Sequence, residues 1–233
     1  MLFKKKWVWF AEPKDISDAD SVTYFSYDDV EAPGFRKKEG WTTVIELFKP
    51  EEEIWRAMRP RFIAEQIQKG QRKGIVVKQD NNWAGFRELY RSFREHKGIP
   101  KDDESLFEKH GLNFSAYLHG ELLSSGVFIT DRQNIRAWAL ASKRLDGLDG
   151  KKKDIVGQAN RLLIWEAIKY GKREGMLRFD LGGIALEENG VMPPLTIFKE
   201  AFGGARLKNY YYSKVYSPVL KAVRAAKKFL QRR

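Results

Sequence analysis

The order of predicted elements makes this an α+β chain, built on a mixed, mostly antiparallel central sheet flanked by helices. Three observations carry that reading. Leu112 to His119, Glu121 to Thr130 and Ile135 to Ser142 alternate or run apolar and are joined by short polar turns, which predicts an antiparallel meander. Two segments carry apolar residues at helical spacing: one after Asn82, with Trp83, Phe86, Leu89, Tyr90 and Phe93, and one from Gly157 to Gly175. The second is followed by strand, short helix and strand in close succession, a mixed order that neither an all-helical nor an all-strand fold produces.

In chain order, Val22 to Tyr27 and Thr42 to Phe48 are rich in β-branched and aromatic residues and predict strands. Pro50 opens a helix whose first turn carries Glu51, Glu52 and Glu53, where carboxylates suit the helix dipole, and Pro60 interrupts it. A second helix is expected from Arg61 to Lys69, ending near Gly70, then a short strand Ile75 to Val77. Asn82 is the expected cap of the long helix that precedes the meander. A polar loop covers Lys143 to Lys153 ahead of the helix ending at Gly175. Met176 to Leu181 is expected as a strand, Gly182-Gly183 as a turn, Pro194 to Ala201 as a short helix closed by Gly203-Gly204, and Leu207 to Val215 as a tyrosine-rich strand. No repeat or low-complexity linker separates these, so residues 1–216 are expected as one domain, followed by a basic amphipathic helix over residues 217–233.

Composition narrows the chemistry. Hydrophobic residues make up 42% and aromatics 13%, enough for a packed core. No apolar run reaches about 18 residues, and the stretch after Lys4-Lys5-Lys6 stops at Glu12-Pro13, too short for a signal core, so cytoplasmic residence is expected. The chain has no cysteine, which removes disulfides, thiolate nucleophiles and cysteine-held metals. His96, His110 and His119 show neither metal-ligand spacing nor a partnered nucleophile, so no metal is expected. A net charge of +12 suits phosphates, nucleic acid or anionic lipid as partners.

The later motifs carry a resemblance. Ala159-Asn160-Arg161-Leu162-Leu163-Ile164-Trp165-Glu166-Ala167-Ile168 leads to Phe179-Asp180-Leu181-Gly182-Gly183-Ile184, and then to Ile197-Phe198-Lys199-Glu200-Ala201-Phe202-Gly203-Gly204. This resembles the C-terminal GNAT repeat of the Fem aminoacyltransferases, where a helix, a "yDfGGi" turn and an "FKxxFGG" helix end follow in the same order. Upstream, Arg61 with Ile67 to Ile75 resembles the family's "R…IrkAxKxGv" segment, with Gly70 in place of the usual Ala. The likeness spans about residues 42–216 and leaves room for one GNAT unit where typical Fem proteins carry two.

The resemblance implies a GNAT fold and acyl transfer to an amine, with no tightly bound cofactor and no covalent enzyme intermediate. It places Lys199 where the family holds the aminoacyl-tRNA end and stabilises developing charge, with Phe198 packing on the donor; read without the motif, Phe198 faces the core and Lys199 is a solvated helix residue. Gly182, Gly183, Gly203 and Gly204 serve either a backbone with positive φ or the close approach of a donor. Asp180 either holds a turn or orients the acceptor amine. Gly157, Ala159 and Asn160 fall where acetyl-CoA enzymes of this fold place a pyrophosphate loop, although Asp154 replaces its Gln or Arg; the alternative is an ordinary capped helix. Arg61, Lys69, Arg72 and Lys73 form a basic cluster, either an acceptor-phosphate site or a solvated face.

Three functions follow as expectations. The first is transfer of an aminoacyl group from charged tRNA to an amine-bearing cell-wall or cell-surface precursor. The second is acyl-CoA-dependent N-acyl transfer to an amino sugar or similar precursor. The third is a non-catalytic basic binding module. The helix after Pro218 could rest on an anionic inner membrane face, dock on the core, or touch tRNA.

Overall fold

A computed structural model describes residues 3–99, 104–145, 147, 149–189 and 191–230. The ends of the predicted first and last segments, residues 1, 2 and 231–233, lie outside them. Contacts gather into two compact units: residues up to Thr42 together with those from Leu207 onward, and Thr43–Arg206.

The first unit holds β1 (Lys5–Trp9), β2 (Ser21–Ser26), most of β9 (Ala205–Val215) and the start of β3 (Arg36–Glu46). Within it the strands lie in the order β1-β2-β9-β3, with β1 parallel to β2 and β2 antiparallel to β9. Val22, Tyr24, Tyr210 and Tyr212 fill a small core with Val8, Ile16 and Phe35 around it. Helix α7 (Pro218–Leu230) follows β9, starting at the predicted proline. Strands are expected within residues 1–41 but none is placed at Lys5–Trp9, where β1 lies, and β3 begins six residues before the predicted Thr42. Both misses have one cause. Lys5, Lys6, Arg36, Lys37 and Lys38 sit on exposed strand positions, so charge there hides the apolar signal that a half-buried strand displays.

The second unit carries the sheet β8 (Arg178–Ile184), β7 (Asn134–Ser142), β6 (Glu121–Thr130), β5 (Gly111–Leu118), β4 (Val76–Lys78), in that order, with the end of β3 beside β8. The predicted meander is present: β5, β6 and β7 pair antiparallel, and β7 pairs parallel to β8. Helices cover both faces. On one side α1 (Glu51–Ala57), α2 (Glu65–Arg72) and α5 (Gly150–Arg173) pack over Phe114, Phe128 and Phe179. On the other, α3 (Trp83–His96) and α4 (Ser105–His110) bring Phe86, Tyr90 and Phe107 against Val127. Each such side chain, moved fully out of water, contributes roughly 1.5–3 kcal/mol. Asn82 caps α3 as expected, its Oδ1 accepting from the Gly85 amide at 3.0 Å. Among the described residues, no helix is long and apolar enough to cross a membrane.

Three predicted boundaries move. Gly70 does not end its helix; it is buried inside α2, facing Gln158 of α5. A π-helical turn, Pro60–Ala64, precedes α2, because proline starts a new turn while α1 is still ending. Helix α5 starts at Gly150, inside the predicted loop, capped by Asp149 whose Oδ1 accepts from Lys152 at 2.9 Å. Helix α4 is an element the sequence reading did not place.

Gly203 ends α6 (Pro194–Glu200) with φ +84°, and a Cβ there would lie 2.5 Å from the carbonyl oxygen of Ala57. Gly203→Ala should therefore lower unfolding stability by at least about 2 kcal/mol, combining left-handed strain with a backbone clash. Urea denaturation measures it; an unchanged midpoint would show that the α1–α6 contact yields freely.

Candidate active site

The site of the second unit is built where β7 and β8 part. Their registered pairing covers Asn134↔Arg178, Ile135↔Phe179 and Arg136↔Asp180, while β7 runs on to Ser142 and β8 to Ile184. A register slip against β6, where Phe128 meets Ala137 and Val127 meets Ala139, makes Trp138 an extra residue in β7 and bends that strand just beyond the last pair.

At that last pair two charges are buried. Arg136 and Asp180 form an ion pair with side chains 5% and 0% exposed. The other carboxylate oxygen of Asp180 accepts from the Gly182 amide at 2.7 Å. Asp180 thus performs the turn role and is held by Arg136, a partner the sequence reading overlooked. The overlooked signal is an arginine set among Ile135, Ala137 and Trp138 on an otherwise apolar strand. Gly182 and Gly183 lie inside β8, where a turn was expected, because Asp180 holds the bent backbone while the strand continues. Gly182 has φ +87°, and a Cβ on it would sit 3.1 Å from the Ala137 carbonyl and 3.2 Å from Lys199 Nζ.

Lys199 stands at this opening, on the last turn of α6, half-buried, its Nζ donating to the Gly183 carbonyl at 2.7 Å. Burial first, then the nearby Arg136 charge, lower its pKa to about 8, with Asp180 acting in the opposite sense. The ammonium has three donors, so one bond to Gly183 leaves two for another oxygen. Phe198 is half-buried against the main core and meets Phe202 edge-on at 5.5 Å. Gly204 packs on the backbone of Val44, so of the paired glycines it has a structural role.

A second feature adjoins it. Arg61, Phe62, Gln66, Lys69, Arg144, Lys153, Asp154, Gly157, Gln158 and Arg161 line a cleft of ≈ 360 Å³. Five cations face one carboxylate there. Arg161 is the pivot. Its guanidinium donates to the Phe62 carbonyl at 2.7 Å and the Gly157 carbonyl at 2.8 Å. It stacks over Phe62 at 4.9 Å and over Phe198 at 5.3 Å, so it ties the cleft to the helix that carries Lys199. Burial, then the charge of Arg144, push its pKa below the ordinary guanidinium value. A Cβ on Gly157 would sit 3.2 Å from Arg161 and 3.3 Å from Arg144, so a side chain there would crowd both guanidinium groups.

The predicted basic cluster divides. Arg61 and Lys69 reach the cleft. Arg72 is not among its lining residues, and Lys73 is bonded to Gln158 Oε1 at 3.0 Å. The expected pyrophosphate loop around Gly157, Ala159 and Asn160 is corrected: all three lie inside α5, where backbone amides already bond within the helix and cannot cradle phosphate. Ala159 is buried in the core, and Asn160 donates to Ser142 Oγ at 3.2 Å. Gly157 remains at the cleft as a gap between arginines. The overlooked cations Arg144 and Arg161 had one sequence signal, since Arg161 interrupts the apolar face of a helix.

No protein-family model matches the chain, and no curated protein matches it. Solved structures do. FemX superposes with a TM-score of 0.63 at 14% identity, over 88% of this chain and 74% of that one. A C-terminal domain assigned to a lysylphosphatidylglycerol synthetase of Agrobacterium fabrum gives 0.54 at 10% identity, over 89% and 72%. L-PGS from Bacillus licheniformis gives 0.51 at 14%, over 87% and 70%. The α+β fold expected from the motifs, a mixed, mostly antiparallel sheet flanked by helices, is the fold of this chain, and it is shared with FemX.

The buried pair gives a stability prediction. Asp180→Ala strands a desolvated guanidinium and should cost about 3–5 kcal/mol. Pairing it with Arg136→Met should recover a large part of that loss. Denaturant unfolding of both variants checks this; equal losses in the single and double variants would remove the pair from its structural role.

Proposed function

We propose that this chain transfers an aminoacyl group from charged tRNA to the amine of a diphosphate-bearing cell-wall or cell-surface precursor. The supporting observation is the pairing of a half-buried lysine at the β7–β8 opening with an adjoining five-cation cleft. The shared fold with FemX and the lysylphosphatidylglycerol synthetase domain supports transfer chemistry in general.

In this reading the acceptor nitrogen attacks the ester carbonyl of the donor. A C–N bond forms, the carbonyl oxygen takes up negative charge, and collapse breaks the C–O bond to the ribose. The ribose oxygen leaves with a proton, and the nitrogen gives up one. Lys199, as the ammonium, donates to the charged oxygen; such donors act strongly where water is excluded. In this reading the carbonyl lies beside Lys199, beyond Arg136 where the registered pairing of β7 and β8 ends. Arg61, Lys69, Arg144, Lys153 and Arg161 hold the acceptor diphosphate, and positioning of the two substrates supplies a further share of the rate. The acyl-CoA alternative is weaker, because the α5 amides that would bind its pyrophosphate are used inside the helix.

Lys199→Ala should lower kcat about ten-fold or more with the fold retained. If Lys199 acts as a cation, kcat should fall as pH rises through about 8, the value at which it loses its proton; a rise over that range would assign it a base role instead. Stability moves the other way. The folded-state value lies below the ordinary 10.5, so unfolding takes up a proton between about 8 and 10.5, and stability rises with pH across that window. Below about pH 8 the ionisation penalty is fully present. Lys199→Met should therefore match or exceed the parent in melting temperature at neutral pH, and a clear drop would contradict the burial argument. The donor is tested by parallel assays with charged tRNA and with acyl-CoA on amine-bearing wall precursors: turnover is expected with the first, and turnover only with the second would replace this reading.

A further inference from the structure

The second sheet face of the first unit carries a row of aromatic rings, with Phe25 buried within it and Trp7 exposed at its end. Val22, Tyr24, Tyr210 and Tyr212 point inward, so by strand alternation Trp7, Trp9, Phe25 and Tyr211 share the opposite face. The register sets Trp9 beside Phe25 and Phe25 beside Tyr211. Their rings form one continuous group. Trp7 stacks on Trp9 at 5.4 Å and 21°, Trp9 meets Phe25 at 5.6 Å, and Phe25 meets Tyr211 at 5.3 Å. Phe10 extends the row, stacking on Tyr27 at 5.9 Å. It does so with φ +56°, a conformation a bulky residue rarely adopts, which the surrounding rings hold in place. Trp7 remains 47% exposed at the end of the row.

Cations flank the rings on both sides. Lys5 shares the face with Trp7 and is exposed. On β3, a Cβ on Gly40 would lie 3.7 Å from the Tyr211 ring, which puts Gly40 on this face, and with it the exposed Lys38 and Arg36. None of the three has an ion-pair partner among the described residues. Thr23 and Ser213 lie in register with Trp7 and place hydroxyls between the aromatic and basic flanks.

From this face we infer that the first unit binds single-stranded nucleic acid. A base stacks on the exposed Trp7, the hydroxyls of Thr23 and Ser213 face the sugar and base edges, and phosphates meet Lys5, Lys38 and Arg36. Stacking on π-faces beside unpaired cations is the chemistry such strands require. Lipid interfaces also take Trp beside Lys and Arg, but the Thr23 and Ser213 hydroxyls set between the two flanks match sugar and base edges. The inference stands apart from the transfer reaction, because it concerns a different unit from the one holding Lys199.

The test is fluorescence anisotropy of the full chain with a labelled single-stranded RNA of about 10 nucleotides, at several salt concentrations. Trp7→Ala should weaken binding by about ten-fold, Trp7→Phe should keep most of it, and Lys38→Ala should shallow the salt dependence by about one counterion. Lys199→Ala should bind RNA like the parent, so catalytic failure and binding failure separate. Circular dichroism confirms that Trp7→Ala is folded. Equal binding by Trp7→Ala would show attraction by net charge alone and overturn the inference. So would absent RNA binding with Trp7-dependent sedimentation on phosphatidylglycerol vesicles, which would assign the face to lipid.

Discussion

The buried Arg136–Asp180 pair is the constraint on which the opening between β7 and β8 depends. It occupies the last registered position between two parallel strands, a pairing slightly weaker per residue than an antiparallel one. Removing two charges from water is costly, and the pair offsets that cost only while the strands stay in register. Asp180 also takes the Gly182 amide, so the same carboxylate that fastens the strands shapes the bend at which they separate. The opening is therefore a defined end to pairing.

The pair also shapes the field around Lys199. Burial is the main cause of the lowered pKa; after it Arg136 disfavours the ammonium and Asp180 favours it, so the two act against each other. A lysine held near its titration point by desolvation is sensitive to anything that admits or excludes water. Substrate that seals the opening would strengthen each of its remaining hydrogen bonds.

Helix α5 joins the core to the basic cleft. Leu162, Leu163 and Ile168 anchor it to the sheet, and on another side of the same helix Gly157 and Arg161 face the cleft. Arg161 is clamped by two carbonyls and two aromatic rings, so little side-chain entropy remains to be lost when an anion arrives. The closeness of Arg144 leaves repulsion that an anion would relieve. A cleft of this kind binds through charge already gathered by folding.

The sequence alone determined whatever rests on local periodicity and local chemistry: the meander of β5 to β7, the Asn82 cap, the proline-started helices, and the Lys199 and Asp180 motifs. These are legible because strand alternation, helical spacing and capping act between neighbours in the chain. Tertiary structure alone decided that Asp180 meets Arg136, forty-four positions away, that Arg161 bridges Phe62 and Phe198, and that Arg144 comes beside Gly157 and Arg161. It also decided that Lys5 to Trp9 is a strand, since only pairing with β2 turns a charged exposed segment into one. The physical reason is common to all four. Burial and desolvation depend on which distant groups exclude water from a site, and that is settled only when the elements pack.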